Sequence, residues 1–361
     1  MTLMADSPEH ESQATPRILL VKRSSLGDIV NALPTLVALR RGFPDAYLAW
    51  LVEDRFQDIL LGHGCLDEVI PVRRLHLHQI VPLLGELRRM KGLLRARHFD
   101  IAVDIQGLLK SSVMCYLSGA PRRLSFDDEH RESNALLTNE RVPGDGNMHA
   151  VDRYLTMARY LGCPTEPVEY RLPISAAARE WARSSLSPYA QPLSGPLIGL
   201  NLGASRPHKR WPLPHFARLA DLLHTRLGAT VVLIGGAAET GLAAAIAQQA
   251  AAPVVDLVGR TTLAQLPALI EGCAVLVSGD TGALHIAVAL NTPVVALFGP
   301  TLPHLTGPYG RNNVILWSHP DCTCLNRAGC RDYHCMSEIT PESTWSAVEQ
   351  LLTRAPKRSP I

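Results

Sequence analysis

The sequence predicts an α/β protein with two doubly wound halves, each a parallel sheet covered by helices on both faces. Three features of the chain predict it. Short apolar runs alternate with helical stretches from residue 17 onward, the pattern of βα units that builds a parallel sheet. The rhythm is broken once, by a proline- and serine-rich stretch at residues 172–195, and then restarts. Within the restarted rhythm, Val277-Ser278-Gly279-Asp280-Thr281-Gly282-Ala283-Leu284-His285 reads as strand, small-residue turn and helix. The 361 residues are enough for two domains facing across a cleft.

Taken in order, residues 1–16 are polar, rich in Glu, Ser and Pro, and lack the basic and apolar regions of a secretory signal. They are expected to be a disordered leader on an intracellular protein. Residues 18–22 form a strand and 24–28 a turn. A helical pattern then runs to about residue 41, in which Pro34 marks a late start or a kink. Strands at 47–52 and 68–72, a long helix at 80–97 and a buried strand at 101–105 complete the legible part of the first domain, 17–175. Residues 176–195 read as a linker with a short helical patch at 176–183. Strands at 197–202, 230–235, 254–258, 274–277 and 294–298 build the second domain, 196–340. Pro341 sits in the first turn of a closing helix, followed by a tail to residue 361.

Composition narrows the function. A formal net charge of +2 does not argue for nucleic acid, and no apolar run is long enough to span a bilayer. There is no G-x-x-x-x-G-K-[ST] loop. The first strand runs into Arg23-Ser24-Ser25-Leu26-Gly27-Asp28 rather than G-x-G-x-x-G, so a P-loop enzyme and a dinucleotide fold are both disfavoured. The Asp280 turn suits a phosphate. Gly279 and Gly282 let backbone amides approach a ligand, and Asp280 and Thr281 occupy the cap of a helix whose N-terminus carries partial positive charge. A well-capped helix without a ligand fits this segment equally well. No D-x-D is present to hang a metal on a diphosphate, so a diphosphate needs another counter-charge. Residues 203–212 supply one. Gly203-Ala204-Ser205-Arg206-Pro207-His208-Lys209-Arg210-Trp211-Pro212 carries three fixed cations and reads as a diphosphate clamp, against the blander reading of a solvated basic loop. The glycines of Gly235-Gly236-Ala237-Ala238-Glu239-Thr240-Gly241 also permit close approach, and Glu239 is placed to hold a ribose hydroxyl.

Several motifs occur together in order. They are Ser24-Ser25-Leu26-Gly27-Asp28-Ile29-Val30 with Leu33-Pro34, Lys209-Arg210-Trp211-Pro212, Asp280 to His285 through Phe298-Gly299-Pro300-Thr301, and Gly307-Pro308-Tyr309-Gly310. From residue 17 to 352 the chain resembles glycosyltransferase family 9, which includes the ADP-heptose:lipopolysaccharide heptosyltransferases. Gln106-Gly107-Leu108-Leu109-Lys110 and His149-Ala150-Val151-Asp152-Arg153 add to the resemblance. It implies a GT-B fold and an inverting transfer that requires no metal or other cofactor. The implied donor is ADP-heptose, and the implied acceptor an anionic glycolipid, the Kdo/heptose–lipid A inner core. The setting it implies is the cytoplasm, in peripheral contact with the inner membrane.

Carried over residue by residue, Asp28 matches the general base and Lys209 the lysine on the leaving diphosphate. Asp28 also fits as the cap of the next helix. Asp280, Thr281 and Gly282 would hold the donor, with Ser205 and His285 beside them. Glu239 resembles the ribose-binding acid, and the segment from Thr261 to Leu263 is where an adenine edge is expected. Ser24, Ser25, Gly27, Arg122 and Arg123 fall on the acceptor side. Arg73, Arg74, Arg88, Arg89, Lys91, Arg95 and Arg97 face one acid, Glu86, with His76, His78, His98 and Arg131 in addition. That patch suits an anionic acceptor or leaflet, or is a solvated helix face. Of the eight cysteines, Cys65, Cys115, Cys163 and Cys273 read as reduced thiols. Cys322, Cys324, Cys330 and Cys335, beside His334, either hold a structural zinc or iron or are packed or redox-active thiols. Three rival functions remain: protein O-heptosyl transfer, a GT-B sugar-nucleotide epimerase, and a nucleotide-sugar-binding protein that has lost transfer.

Overall fold

The computed structural model describes residues 15–74, 80–127, 137–189, 195–204, 206–318 and 334–354. The first half runs β1 (Arg17–Val21), α1 (Leu26–Asn31), α2 (Leu33–Gly42), β2 (Tyr47–Glu53), β3 (Glu68–Val72), α3 (Ile80–Arg95), β4 (Ile101–Asp104), α4 (Leu109–Ser118), β5 (Arg122–Asp127), β6 (Glu140–Pro143) and α5 (Ala150–Tyr160). Helix α6 (Ala176–Leu186) lies in the connection. The second half runs β7 (Leu197–Asn201), α7 (Leu213–Leu227), β8 (Thr230–Ile234), α8 (Thr240–Gln249), β9 (Val254–Asp256), α9 (Leu266–Glu271), β10 (Val275–Gly279), α10 (Gly282–Ala289), β11 (Val294–Phe298), α11 (Pro303–Thr306), β12 (Asn313–Trp317), α12 (Cys335–Glu338) and α13 (Pro341–Arg354).

The strands pair in parallel into two six-stranded sheets, ordered β3-β2-β1-β4-β5-β6 and β12-β11-β10-β7-β8-β9. Counted from the first strand of each half, the two orders are identical. Strand order reverses between β1 and β4 in one sheet and between β7 and β10 in the other. Such reversals open a crevice at the carboxyl ends of the strands. The central strands are apolar along their length because helices cover both faces, and every residue of β4 and β8 is buried.

Local chemistry explains the departures from a plain reading. The helical pattern after β1 splits at Ala32, and Pro34 takes the second position of α2, where its missing N–H costs nothing. The proline- and serine-rich connection holds a full helix rather than a short patch. Ser175 caps α6 by accepting the Ala178 N–H (3.1 Å), and Ala178 and Ala182 pack against Ala268 of α9. Strands β5, β6 and β12 were not legible. β5 and β6 carry charges that mask the apolar pattern, among them the Arg122–Glu140 ion pair (2.7 Å) across the two strands.

One buried cluster is continuous between the halves: it joins Ile29, Val30, Leu33 and Leu36 to Ala283, Leu284, Ile286 and Ala287. A second lies under α7 and α13, and a third under α3 and α4. Cys65, Cys115, Cys163 and Cys273 are buried free thiols. Among the described residues no helix is long and apolar enough to cross a membrane. Leu36 is fully buried in the continuous cluster, and Leu36→Ala should cost about 2–5 kcal/mol in urea unfolding. A loss under about 1 kcal/mol would show a site that collapses freely around the deletion.

Candidate active site

The reversal in the first sheet places the segment after β1 beside the segment after β4. Asp104, buried at the end of β4, folds the second segment back: it accepts N–H bonds from Gln106 (3.1 Å) and Gly107 (2.8 Å) and the Ser112 hydroxyl (2.6 Å). Gly107 takes the positive φ this turn requires (64°). Gln106 then ties the two segments by accepting the Arg23 N–H (2.8 Å). Between them lies a cavity of about 420 Å³, lined by Ser24, Ser25, Asp28, Gln106, Lys110 and Tyr154, with Leu305 and Thr306 reaching in from the second half.

Asp28 is the third residue of α1, and it does two things at once. One carboxylate oxygen accepts the Ser25 N–H (3.1 Å) and hydroxyl (2.7 Å), so the residue caps the helix. The other accepts the Tyr154 hydroxyl (2.8 Å) and lies 3.7 Å from the Lys22 ammonium. The side chain remains 37% exposed, on the cavity wall. Burial pushes this carboxyl up, but the Lys22 charge and the Ser25 and Tyr154 hydrogen bonds outweigh it and hold the group below its ordinary range. Lys22 is itself buried and donates to the Tyr154 hydroxyl (2.9 Å).

The reversal in the second sheet places Lys209 beside Asp280. Asn201, at the end of β7, donates to the Ser278 and Thr281 hydroxyls (3.0 and 2.9 Å) and so holds the turn after β10. Lys209 ends a short 3₁₀ turn, with its ammonium 3.1 Å from Asp280. Thr281 is the N-cap of α10 and Gly282 its first residue. His285 Nε2 lies 3.9 Å from Asp280 Oδ1, the carboxylate oxygen other than the one Lys209 contacts. Burial pushes the Asp280 carboxyl up, yet the His285 hydrogen bond and the Lys209 charge leave it below its ordinary range. One strand further, Glu239 accepts the Gly236 N–H (3.0 Å) and lies 3.7 Å from Arg210. Beyond it, the Thr261 hydroxyl donates to the Leu257 carbonyl (3.2 Å) and Leu263 packs on the core. Along this sheet edge the order is Thr261, Glu239, Lys209, Asp280.

Other sequence candidates fall elsewhere. Arg122 is paired with Glu140, and Arg123 donates to the Ala120 and Leu137 carbonyls (2.7 and 2.9 Å); neither lines the cavity. The space over Gly27 is filled by the His285 ring. Ser205, His76, His78, Arg131, Cys322, Cys324 and Cys330 lie outside the described residues. Cys335 is buried at the start of α12. Among the described residues no three His, Cys, Asp or Glu side chains gather as a metal site. Sequence reasoning missed Lys22, Tyr154 and Asn201. Lys22 and Asn201 carry a faint signal, a polar residue ending an apolar strand, whereas nothing local links Tyr154 to Asp28, 126 positions away.

Two further stretches meet across the cleft. His149 contacts the Gly307 carbonyl (3.0 Å), and Tyr309 donates to Asp152 (2.7 Å). Burial holds the His149 imidazole below its ordinary range.

A family model described as glycosyltransferase family 9 (heptosyltransferase) matches residues 87–335. Lipopolysaccharide heptosyltransferase 1 of Pseudomonas aeruginosa is 34% identical over 318 residues, 86% of each chain. Lipopolysaccharide heptosyltransferase 2 of Salmonella typhimurium is 30% identical over 349 residues, 93% of this chain and 99% of its own. A solved E. coli heptosyltransferase, WaaC with ADP, aligns with a TM-score of 0.73 at 25% identity, over 93% of this chain and 99% of that one.

The Asp28 network has a testable pH signature. A carboxyl held below its ordinary value of 3.8 stabilises the fold at higher pH, and that contribution is lost as pH falls through the lowered value. Lys22→Met removes the charge that pulls it down. The stability gap between wild type and variant should therefore be widest at neutral pH and narrow in acid, measured by urea unfolding across that range. A gap that stays constant with pH would dissociate Lys22 from the Asp28 charge.

Proposed function

The chain belongs to glycosyltransferase family 9 and has the two-domain GT-B fold, and from that premise we propose that it moves heptose from ADP-heptose onto the lipopolysaccharide inner core. We further propose that the transfer inverts the anomeric centre and needs no metal. One observation carries the reading. The reversal points of the two sheets face each other, with a carboxylate on a cavity wall on one side and a lysine at a helix N-terminus on the other.

Residues 17–175 act as the acceptor half and 196–340 as the donor half. The donor lies along the second sheet's edge, adenine towards Thr261 and Leu263, ribose towards Glu239, diphosphate at Lys209 and the start of α10. Those positions span three strand spacings of about 4.8 Å each, within reach of an extended nucleoside diphosphate. The Thr281 and Gly282 N–H groups and the Lys209 ammonium meet the diphosphate, and Asp280 orients Lys209. An acceptor hydroxyl enters the cavity beside Asp28. As its oxygen attacks the anomeric carbon, Asp28 takes its proton, and the bond from that carbon to the diphosphate breaks. The charge that develops on ADP is met by Lys209, already in place, which is the role a divalent cation would otherwise fill. A single displacement of this kind inverts the centre. The lowered Asp28 carboxyl is ionised at neutral pH and so ready to act as the base.

Lys22, Lys110 and Arg153 on the cavity wall suit an acidic sugar. Exposed Arg88, Lys91 and Arg95 on α3 support peripheral contact with an anionic leaflet, in keeping with work at the cytoplasmic face of the inner membrane.

The direct test is to incubate the protein with ADP-heptose and Kdo-bearing lipid A in EDTA, weigh the products and read the new anomer by NMR. Addition of heptose to the lipid with inversion is expected. Donor breakdown or epimerisation that ignores the acceptor would sink the reading. Asp28→Asn keeps the cap acceptor but should lower turnover by about 10²–10⁴-fold with ADP affinity intact. Lys209→Ala should lower turnover by about 10²–10³-fold and weaken ADP binding with it; a change confined to acceptor affinity would remove Lys209 from the clamp.

A further inference from the structure

Two glycines at the site are filled from across the cleft. A Cβ on Gly282 would lie 2.5 Å from Leu26 Cδ2, 2.6 Å from its Cγ and 2.9 Å from its Cβ. A Cβ on Gly27 would lie 2.4 Å from His285 Cδ2. The two contacts are reciprocal. Leu26 on α1 enters the space over Gly282 on α10, and His285 on α10 enters the space over Gly27 on α1. Other tight glycine sockets are filled from their own half, Gly42 by Cys163, Gly144 by Phe126 and Gly299 by Met336. Leu26 opens α1 and Gly282 opens α10, so the contact joins the first turns of the helices that carry Asp28 and the diphosphate clamp.

Small residues let two backbones approach closely, and the distance between packed helices follows the side chains at the contact. A methyl on Gly282 meets Leu26 as far back as its Cβ, which no rotamer change moves away. The helices would have to separate. Separation shifts Asp28 relative to the donor, and a misplacement of about 1 Å can cost about 10²-fold in rate. The same methyl leaves the Gly282 N–H in place.

We propose that Gly282 and Leu26, with Gly27 and His285, form a packing latch that sets α1 against α10 and so holds the base in register with the donor. The latch makes Gly282 and Leu26 positioning residues: glycine is present at 282 for domain docking rather than for ligand access. The proposal rests on the heptosyl-transfer reading.

The test compares wild type, Gly282→Ala, Leu26→Gly and the double variant in transfer kinetics, ADP titration calorimetry and thermal unfolding. Gly282→Ala should lower kcat by about tenfold or more while its ADP Kd stays within about threefold, and the double variant should regain most of that loss, because Leu26→Gly removes the whole side chain, Cβ included, and vacates the space. Three results would overturn the latch: full turnover in Gly282→Ala, ADP affinity falling in step with kcat without rescue, or rescue of thermal stability without rescue of turnover. Absence of heptosyl transfer by wild type would instead sink the functional reading. The latch would then be judged by unfolding alone, where a double variant no more stable than Gly282→Ala would refute it.

Discussion

A parallel sheet presents its loops to a ligand only at the carboxyl ends of its strands, and most openly where strand order reverses. This chain has two such reversals with the same order, and α1 and α10 touch between them. Leu26, Gly27, Gly282 and His285 make that contact. A continuous apolar cluster behind it, from Ile29 and Leu33 to Leu284 and Ala287, holds the halves at one spacing. The cavity beside Asp28 and the Lys209–Asp280 pair owe their relative position to this packing.

The same electrostatic device appears on both sides. Each half sets a lysine against a partly buried carboxylate beyond the end of a strand, Lys22 with Asp28 and Lys209 with Asp280. Burial alone would favour the neutral acids; the neighbouring cations and donors reverse that and keep both ionised. The surroundings then separate the roles. Asp28 opens onto a cavity walled by serine and tyrosine hydroxyls and two further cations, the setting in which we propose that it takes up a proton. Asp280 stands at the mouth of a helix whose free N–H groups favour an anion, and the part we propose for it is to hold the lysine in place. His149, Gly307, Tyr309 and Asp152 form a second strut between the halves, away from both pairs.

Much of this was readable from residue order. Central strands were legible because burial on both faces makes them continuously apolar, as in Leu197–Asn201 and Thr230–Ile234. The Asp280 turn was legible as a helix start because glycines and a cap residue follow an apolar strand there. Strands β5, β6 and β12 were hidden: arginines on β5 satisfy cross-strand partners that periodicity does not reveal, and β12 is only half buried. Helix α6 was underread because its stability comes from alanines meeting α9, a contact made by folding.

The order of residues was enough for the two α/β halves, the strand-end motifs and the membership of the family, since these depend on periodicity and short-range chemistry. It left open whether Asp28 caps a helix or faces a ligand. The folded chain shows the cap, and it also brings Tyr154 and Lys22 from other elements onto the second oxygen at the cavity wall, where we propose that Asp28 acts as the base. It also left Gly27 and Gly282 as glycines beside a ligand. In three dimensions each faces a side chain from the opposite half, a relation between residues more than two hundred positions apart that no local pattern encodes.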